Sequence, residues 1–199
     1  MKVFFIFLCL FNLISCDYNG ENDVTTQNYK ISKYFNSKDR YSFIYLSRNN
    51  LLIDSVKLLS DWYGIDSFVR VDSCHWDCHY KMRGGTGITI WNYARIALIE
   101  EKLVVQIHLM HKLSEMGKLV EMQSLRIDSN GYYIDLVSNQ DSSLYRLKYD
   151  SVLNIFYNEL FSLGPNTYKG IKTKHREYIY TSKNVWKEYN PSNGYLSEL

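Results

Sequence analysis

Residues 49–64, NNLLIDSVKLLSDWYG, are the stretch on which the fold class turns. Leu52, Val56, Leu59 and Tyr63 recur three and four apart, the spacing of an apolar helix face. Asn49-Asn50 stands before them as a cap, and Gly64 sits where a helix stops. The spacing predicts a helix with a strand on either side, Arg40–Leu46 (RYSFIYL) before it and Ser67–Asp72 (SFVRVD) after it. Such a β-α-β unit leaves open whether its strands pair in parallel. A second helix is expected after a cap at Asp150 or Ser151. Val152, Ile155, Phe156, Leu160 and Phe161 would form its apolar face, and Gly164-Pro165 would end it.

The chain between these two segments reads differently. Ile88, Ile90, Trp91 and Tyr93 lead into Ala97-Leu98-Ile99, followed by Leu103–Leu109, Leu119–Ile127 and Tyr132–Val137. Short turns separate them at Glu100-Glu101-Lys102, Ser114–Lys118 and Asp128-Ser129-Asn130-Gly131, the last with an Asn-Gly pair that tolerates positive φ. Four strands so joined predict an antiparallel meander. Tyr178–Thr181 and Val185-Trp186 read as a closing strand or hairpin. The expected class is α+β: a curved antiparallel sheet, a meander, with about two helices packed on one face.

Composition narrows the function classes. The chain has 199 residues, 46% hydrophobic and 22% charged, with a net charge of +2. That is ordinary globular composition, and its small, mixed charge argues against a nucleic-acid partner. No window has the run of apolar residues that a membrane-spanning helix needs. Neither Gly-x-Ser-x-Gly nor His-Glu-x-x-His occurs, so the sequence offers no catalytic signature. Arg83-Gly84-Gly85-Thr86-Gly87 lacks the endings of a phosphate or dinucleotide loop and reads as a flexible turn. Glu100-Glu101 reads as a solvated turn, and the basic stretch around His175-Arg176-Glu177 as a solvated loop.

The start of the chain is an address. Lys2 precedes an unbroken apolar run, Val3–Phe11, which as a helix rises only about 14 Å, half a bilayer core. After it comes Leu13-Ile14-Ser15-Cys16. This segment resembles the lipobox of bacterial lipoproteins, the signal peptidase II motif. The resemblance implies a diacylglycerol on the Cys16 thiol, cleavage before Cys16 and a stable membrane anchor. On that reading residues 1–15 are a lipoprotein signal peptide and 16–28, polar with three acids, a flexible tether. Residues 29–199 are then a single domain, tethered in the bacterial cell envelope on the periplasmic or cell-surface side. Asp17 resembles an inner-membrane retention signal of enterobacteria, and the early acids resemble surface-export signals of Bacteroidetes-like bacteria, so the leaflet stays open.

With Cys9 and Cys16 accounted for by the leader and the lipid, Cys74 and Cys78 remain, in Cys74-His75-Trp76-Asp77-Cys78-His79. In an oxidising envelope the pair is expected to form a disulfide. Residues i and i+4 lie about 13 Å apart in a strand and about 6 Å apart across a helical turn, so a bridge requires a turn there. Three alternatives remain open, the first that the thiols stay free. Cys74, Cys78 and His79, or His75, joined by His108 or His111, supply zinc-type ligands. Cys-x-x-x-Cys-His also resembles a stretched c-type haem attachment motif, with His79 as axial ligand and Met82, Met110 or His108 opposite. Finally, 18 tyrosines within a 16% aromatic content suit a binding face or sugar stacking as well as half-buried strands. The expected role is a non-enzymatic, membrane-anchored binding module for a protein, peptide, glycan or lipid, in the manner of an immunity-like inhibitor or a carrier. A metal- or haem-binding envelope protein is the alternative.

Overall fold

A computed structural model describes residues 29–60, 63–128, 131–181 and 185–199. The lipobox, Cys16 and the tether lie outside the described residues, as do Ser129 and Asn130 of the expected turn. Sixteen strands form three antiparallel sheets, with no helix among the described residues. The α+β expectation is therefore corrected to all-β.

The first sheet holds β1 (Tyr29–Asn36), β2 (Tyr41–Arg48) and β3 (Leu51–Leu59). The second runs in chain order through β4 (Ile65–Arg70), β5 (His75–Gly85), β6 (Ile88–Ile99), β7 (Lys102–Glu115), β8 (Lys118–Ile127), β9 (Tyr133–Ser138), β10 (Leu144–Asp150) and β11 (Ile155–Tyr157). The third holds β12 (Glu159–Leu163), β13 (Asn166–Lys172), β14 (Glu177–Thr181), β15 (Val185–Asn190) and β16 (Tyr195–Glu198). Every strand pairs with its sequence neighbour within a sheet, so the expected meander is present and longer than the sequence suggested.

Both expected helices are strands. Asn49 and Asn50 have φ of 52° and 63°, and Arg48 pairs with Leu51. The two asparagines form a two-residue hairpin loop of the type that demands positive φ at both positions, and they cap nothing. Past it the burial alternates: Val56 and Leu58 are buried while Ser55 and Lys57 are exposed. Leu52, on the supposed apolar face, is 62% exposed. At the second site Asp150 does accept the backbone N–H groups of Val152 (2.9 Å) and Leu153 (3.0 Å), as a cap would. The turn stops after one round at Asn154 (φ 57°), and Ile155–Tyr157 pair back onto β10. Val152, left 85% exposed, contributes nothing to a helix face.

β7 is the spine of the molecule. Leu103 through Met110 are all buried, so this strand is covered on both faces. β8 pairs with β7 only from Lys112 to Glu115 and then leaves it to pair with β9 from Gln123 onward. That departure leaves much of one β7 edge without a partner strand. Side chains from other sheets serve it instead. Asp54 Oδ2 accepts Leu103 N–H (2.7 Å), Trp186 Nε1 donates to Val105 O (2.9 Å), and Tyr178 Oη accepts Met110 N–H (3.3 Å). Buried backbone groups left unpaired are costly, which makes these contacts the joints between sheets. The core around them includes Ile44, Leu46, Leu58, Ile107, Leu109, Ile134, Leu136 and Leu147.

Candidate functional site: a cleft between the two halves of the long sheet

His75–His79 open β5, and Cys74 sits in the bend just before it, which settles the geometry of the stretch. Cys78 is a free, buried thiol in β5, paired with Phe68 on one side and Ala94 on the other. Burial pushes its thiol up to about 12. The expected Cys74–Cys78 bridge is not made: Cys74 is disulfide-bonded, but not to Cys78, which keeps its thiol, and the extended chain between the two carries them well beyond disulfide reach. Alternation also divides the alternative metal ligands. Cys78 and Tyr80 share one face of β5, and Tyr80 meets His108 there through a short hydrogen bond. His79 lies on the other face, its ring tilted against Tyr93 and His111 with centroids 5.2 Å away in each case. No group of three or more His, Cys, Asp or Glu side chains converges as a metal site among the described residues. The same division separates the residues a haem would need, with Cys78 sealed in the core.

β7 carries two bulges. Arg95 pairs with Ile107 and Ile96 with Val105, leaving Gln106 as the extra residue. Trp91 pairs with Lys112 and Asn92 with Met110, leaving His111 as the other. A bulge re-aims the extra side chain, and here both extra residues are polar. Gln106 is buried and opens onto a cleft of about 530 Å³. That size falls within the range of small-molecule sites.

The cleft lies where β5, β6 and β7 face the β8–β9 turn region, β10 and β11. Its floor is Arg95 and Gln106, both buried. Its aromatic wall is Tyr132, Tyr149 and Phe156, the last two with ring centroids 5.1 Å apart. Val71, Ile127, Asp72 and His75 form the rim. The floor is rigidly built. Arg95 Nε donates to Asp77 Oδ1 (2.9 Å) and Nη2 to Oδ2 (3.3 Å), while Tyr93 Oη donates to the same Oδ1 (2.8 Å). A forked pair of this kind fixes the guanidinium plane and leaves Nη1 with donors to spare. At the rim Asp72 Oδ1 accepts the backbone N–H groups of Cys74 (2.8 Å) and His75 (2.9 Å), and its carboxylate holds His75 Nδ1 at 2.8 Å. Burial works against the Asp72 charge, but these hydrogen bonds outweigh it and hold the carboxyl below its usual range. Tyr149 Oη donates to Asn154 Oδ1 (2.7 Å), and burial raises the Tyr149 phenol.

Two other hollows are less built. One of about 870 Å³ lies over the Thr86-Gly87 and Met116-Gly117 turns, and none of its lining residues is buried. Another, about 570 Å³, lies at the edge of the third sheet in the expected basic loop, which is present. Its charges are spent on one another: Lys172 with Glu177 (2.9 Å), Lys174 with Asp141 (2.7 Å), and Arg176 with Glu121 and Glu188. Glu100-Glu101 is the expected turn, with Glu101 accepting from Arg48 Nη1 (2.8 Å) and from Tyr29.

Of the cleft's residues, sequence reading singled out His75 and the tyrosines as a class. It missed Arg95 and Gln106. Gln106 did leave a signal, as a lone amide inside the apolar run LVVQIHL. No protein family, curated protein or solved structure matches this chain.

Proposed function

We propose that the protein is a non-enzymatic binding module of the bacterial cell envelope, held to a membrane by lipid on Cys16, and that its ligand seats in the Arg95–Gln106 cleft. One observation carries the site: two buried polar side chains form the floor of a cleft walled by aromatic rings. Burying an amide and a guanidinium costs free energy unless their hydrogen bonds are made. Arg95 makes its bonds to Asp77 with one side of its fork only. A ligand that fills the cleft meets the open side of that fork and the Gln106 amide, which Tyr149 engages in part. The two carboxylates nearest the cleft, Asp72 and Asp77, are each already committed to cation or imidazole and neighbouring donors. That favours holding a ligand over transforming it.

A carrier of long acyl chains is less well supported. A smaller hollow beside Trp186, Leu58 and Leu199 measures about 90 Å³, room for about three waters at 30 Å³ each and too little for an acyl chain.

The test uses the purified protein with polysaccharide, peptide and lipid fractions of a bacterial envelope, read by thermal unfolding. One fraction is expected to raise the melting temperature of the wild type and leave Gln106→Ala unmoved. Equal stabilisation of both proteins, or none from any fraction, contradicts the cleft as the site.

A further inference from the structure

We infer that the cleft takes an uncharged carbohydrate, the end of a neutral oligosaccharide; this rests on the cleft being the binding site. Three features of the cleft point to that chemistry together.

The first is charge. Arg95 is the one cation on the floor, and Asp77 neutralises it through two hydrogen bonds. Asp72 adds a carboxylate at the rim, partnered by His75. With Arg95 compensated by Asp77, the floor offers no uncompensated charge to draw an ionic ligand of either sign. The second is hydrogen-bond capacity. Arg95 Nη1 offers donors, and the Gln106 amide, beyond its hydrogen bond with Tyr149, offers a second N–H and its carbonyl oxygen. Sugar hydroxyls are donors and acceptors at once, so a ring of them matches this mixed set. An alkyl chain would strip water from Arg95 and Gln106 and return nothing. The third is the wall. Tyr132 is 63% exposed at the mouth. A tyrosine presents an apolar ring face with a polar tip, which suits the C–H face of a pyranose and the hydroxyls at its edge.

The experiment titrates the full chain with neutral tetrasaccharides of glucose, mannose, galactose and N-acetylglucosamine. Matched acidic sugars, a tetragalacturonate and a sialylated trisaccharide, are titrated in parallel, all by calorimetry. At least one neutral sugar is expected to bind saturably with a stoichiometry near one and to outcompete the acidic set. Tyr132→Ala is expected to weaken that binding about tenfold or more, and Tyr132→Phe to retain it, since the stacking face survives. Tyr132 is exposed, so neither variant threatens the fold; thermal unfolding confirms this. Preference for the acidic sugars, binding indifferent to Tyr132→Ala, or no saturable sugar binding overturns the inference. Saturable binding of a fatty acid or an unstructured peptide that Gln106→Ala abolishes overturns the sugar while leaving the cleft as the site. If no probe binds in a manner sensitive to Gln106→Ala, both readings fall.

Discussion

Two polar residues, His108 and Gln106, stand in the fully buried run Leu103–Met110 of β7, and each has its own explanation. His108 is fully enclosed, and burial lowers its imidazole to about 3, so it is neutral and takes the Tyr80 hydroxyl as its partner. His111 is lowered to about 4, first by burial and then by His79 and Lys112 beside it. Both values lie below the unfolded value of about 6.5. The unfolded chain therefore binds more protons than the folded one from pH 6.5 down to those values, and stability falls with pH through that window. For the enclosed His108 the slope is about 1.4 kcal/mol per pH unit. Urea unfolding between pH 7 and pH 4 checks this, and His108→Gln should flatten the dependence. An unchanged slope in that variant would show that His108 is not held neutral. Gln106 has the other explanation: a bulge turns it to the cleft. Its oddity inside LVVQIHL was legible in the sequence, but the bulge that aims it depends on the register between β6 and β7, which no local pattern records.

The elements show where local reading succeeds and where it fails. Strands with strict alternation or β-branched runs, such as Arg40–Leu46 and Tyr132–Val137, were legible because the side-chain period of two is local. The segment Leu51–Leu59 misled because Leu52, Val56 and Leu59, spaced by four and three, also satisfy the helical period. What decides is Asn49-Asn50, whose positive φ angles make a hairpin. Asp150 shows the same ambiguity from the other side: its capping hydrogen bonds form, and tertiary pairing of Ile155–Tyr157 overrides the helix they would start. Which sheet a strand joins was not legible, since the joints are long-range. Trp186 is one such joint, bonding Val105 O from 81 positions away. Trp186→Phe keeps most of the ring but leaves that carbonyl unpaired, and should cost about 1–3 kcal/mol in urea unfolding. Gly170 is another. A Cβ there would collide with the Tyr178 carbonyl oxygen and lie 2.6 Å from Phe161 Cε2. Gly170→Ala should lower stability by about 1–3 kcal/mol through overpacking, read as a lower unfolding midpoint. Wild-type stability in the Trp186 variant would mean that its bond does not hold the sheets together, and in the Gly170 variant that the third sheet is not closely packed there.

At the scale of the whole molecule, the account joins a tethered start to a sheet-built cleft. Tyr29, the first described residue, opens β1, and its hydroxyl meets Glu101 and Arg48 at the same end of the first two sheets. The proposed tether, residues 16–28, leads into that end. Labelled palmitate should enter the wild-type protein and not Cys16→Ala, and the variant should leave detergent-extracted membranes. Palmitate absent from the wild type would remove the anchor and leave the cleft untouched. The cleft rests on different observations, the packing of β8–β11 over β5–β7 and the two buried polar groups this encloses.

The most direct measurement is residue-resolved NMR of the labelled protein during titration with the tightest-binding oligosaccharide. The account predicts that the largest shifts fall on the Gln106 side-chain amide, the Arg95 Nε–H and the Tyr132 ring. Shifts centred instead on the Thr86–Thr89 and Met116 turns, or on the Lys172–Arg176 loop, would place the ligand elsewhere and contradict it.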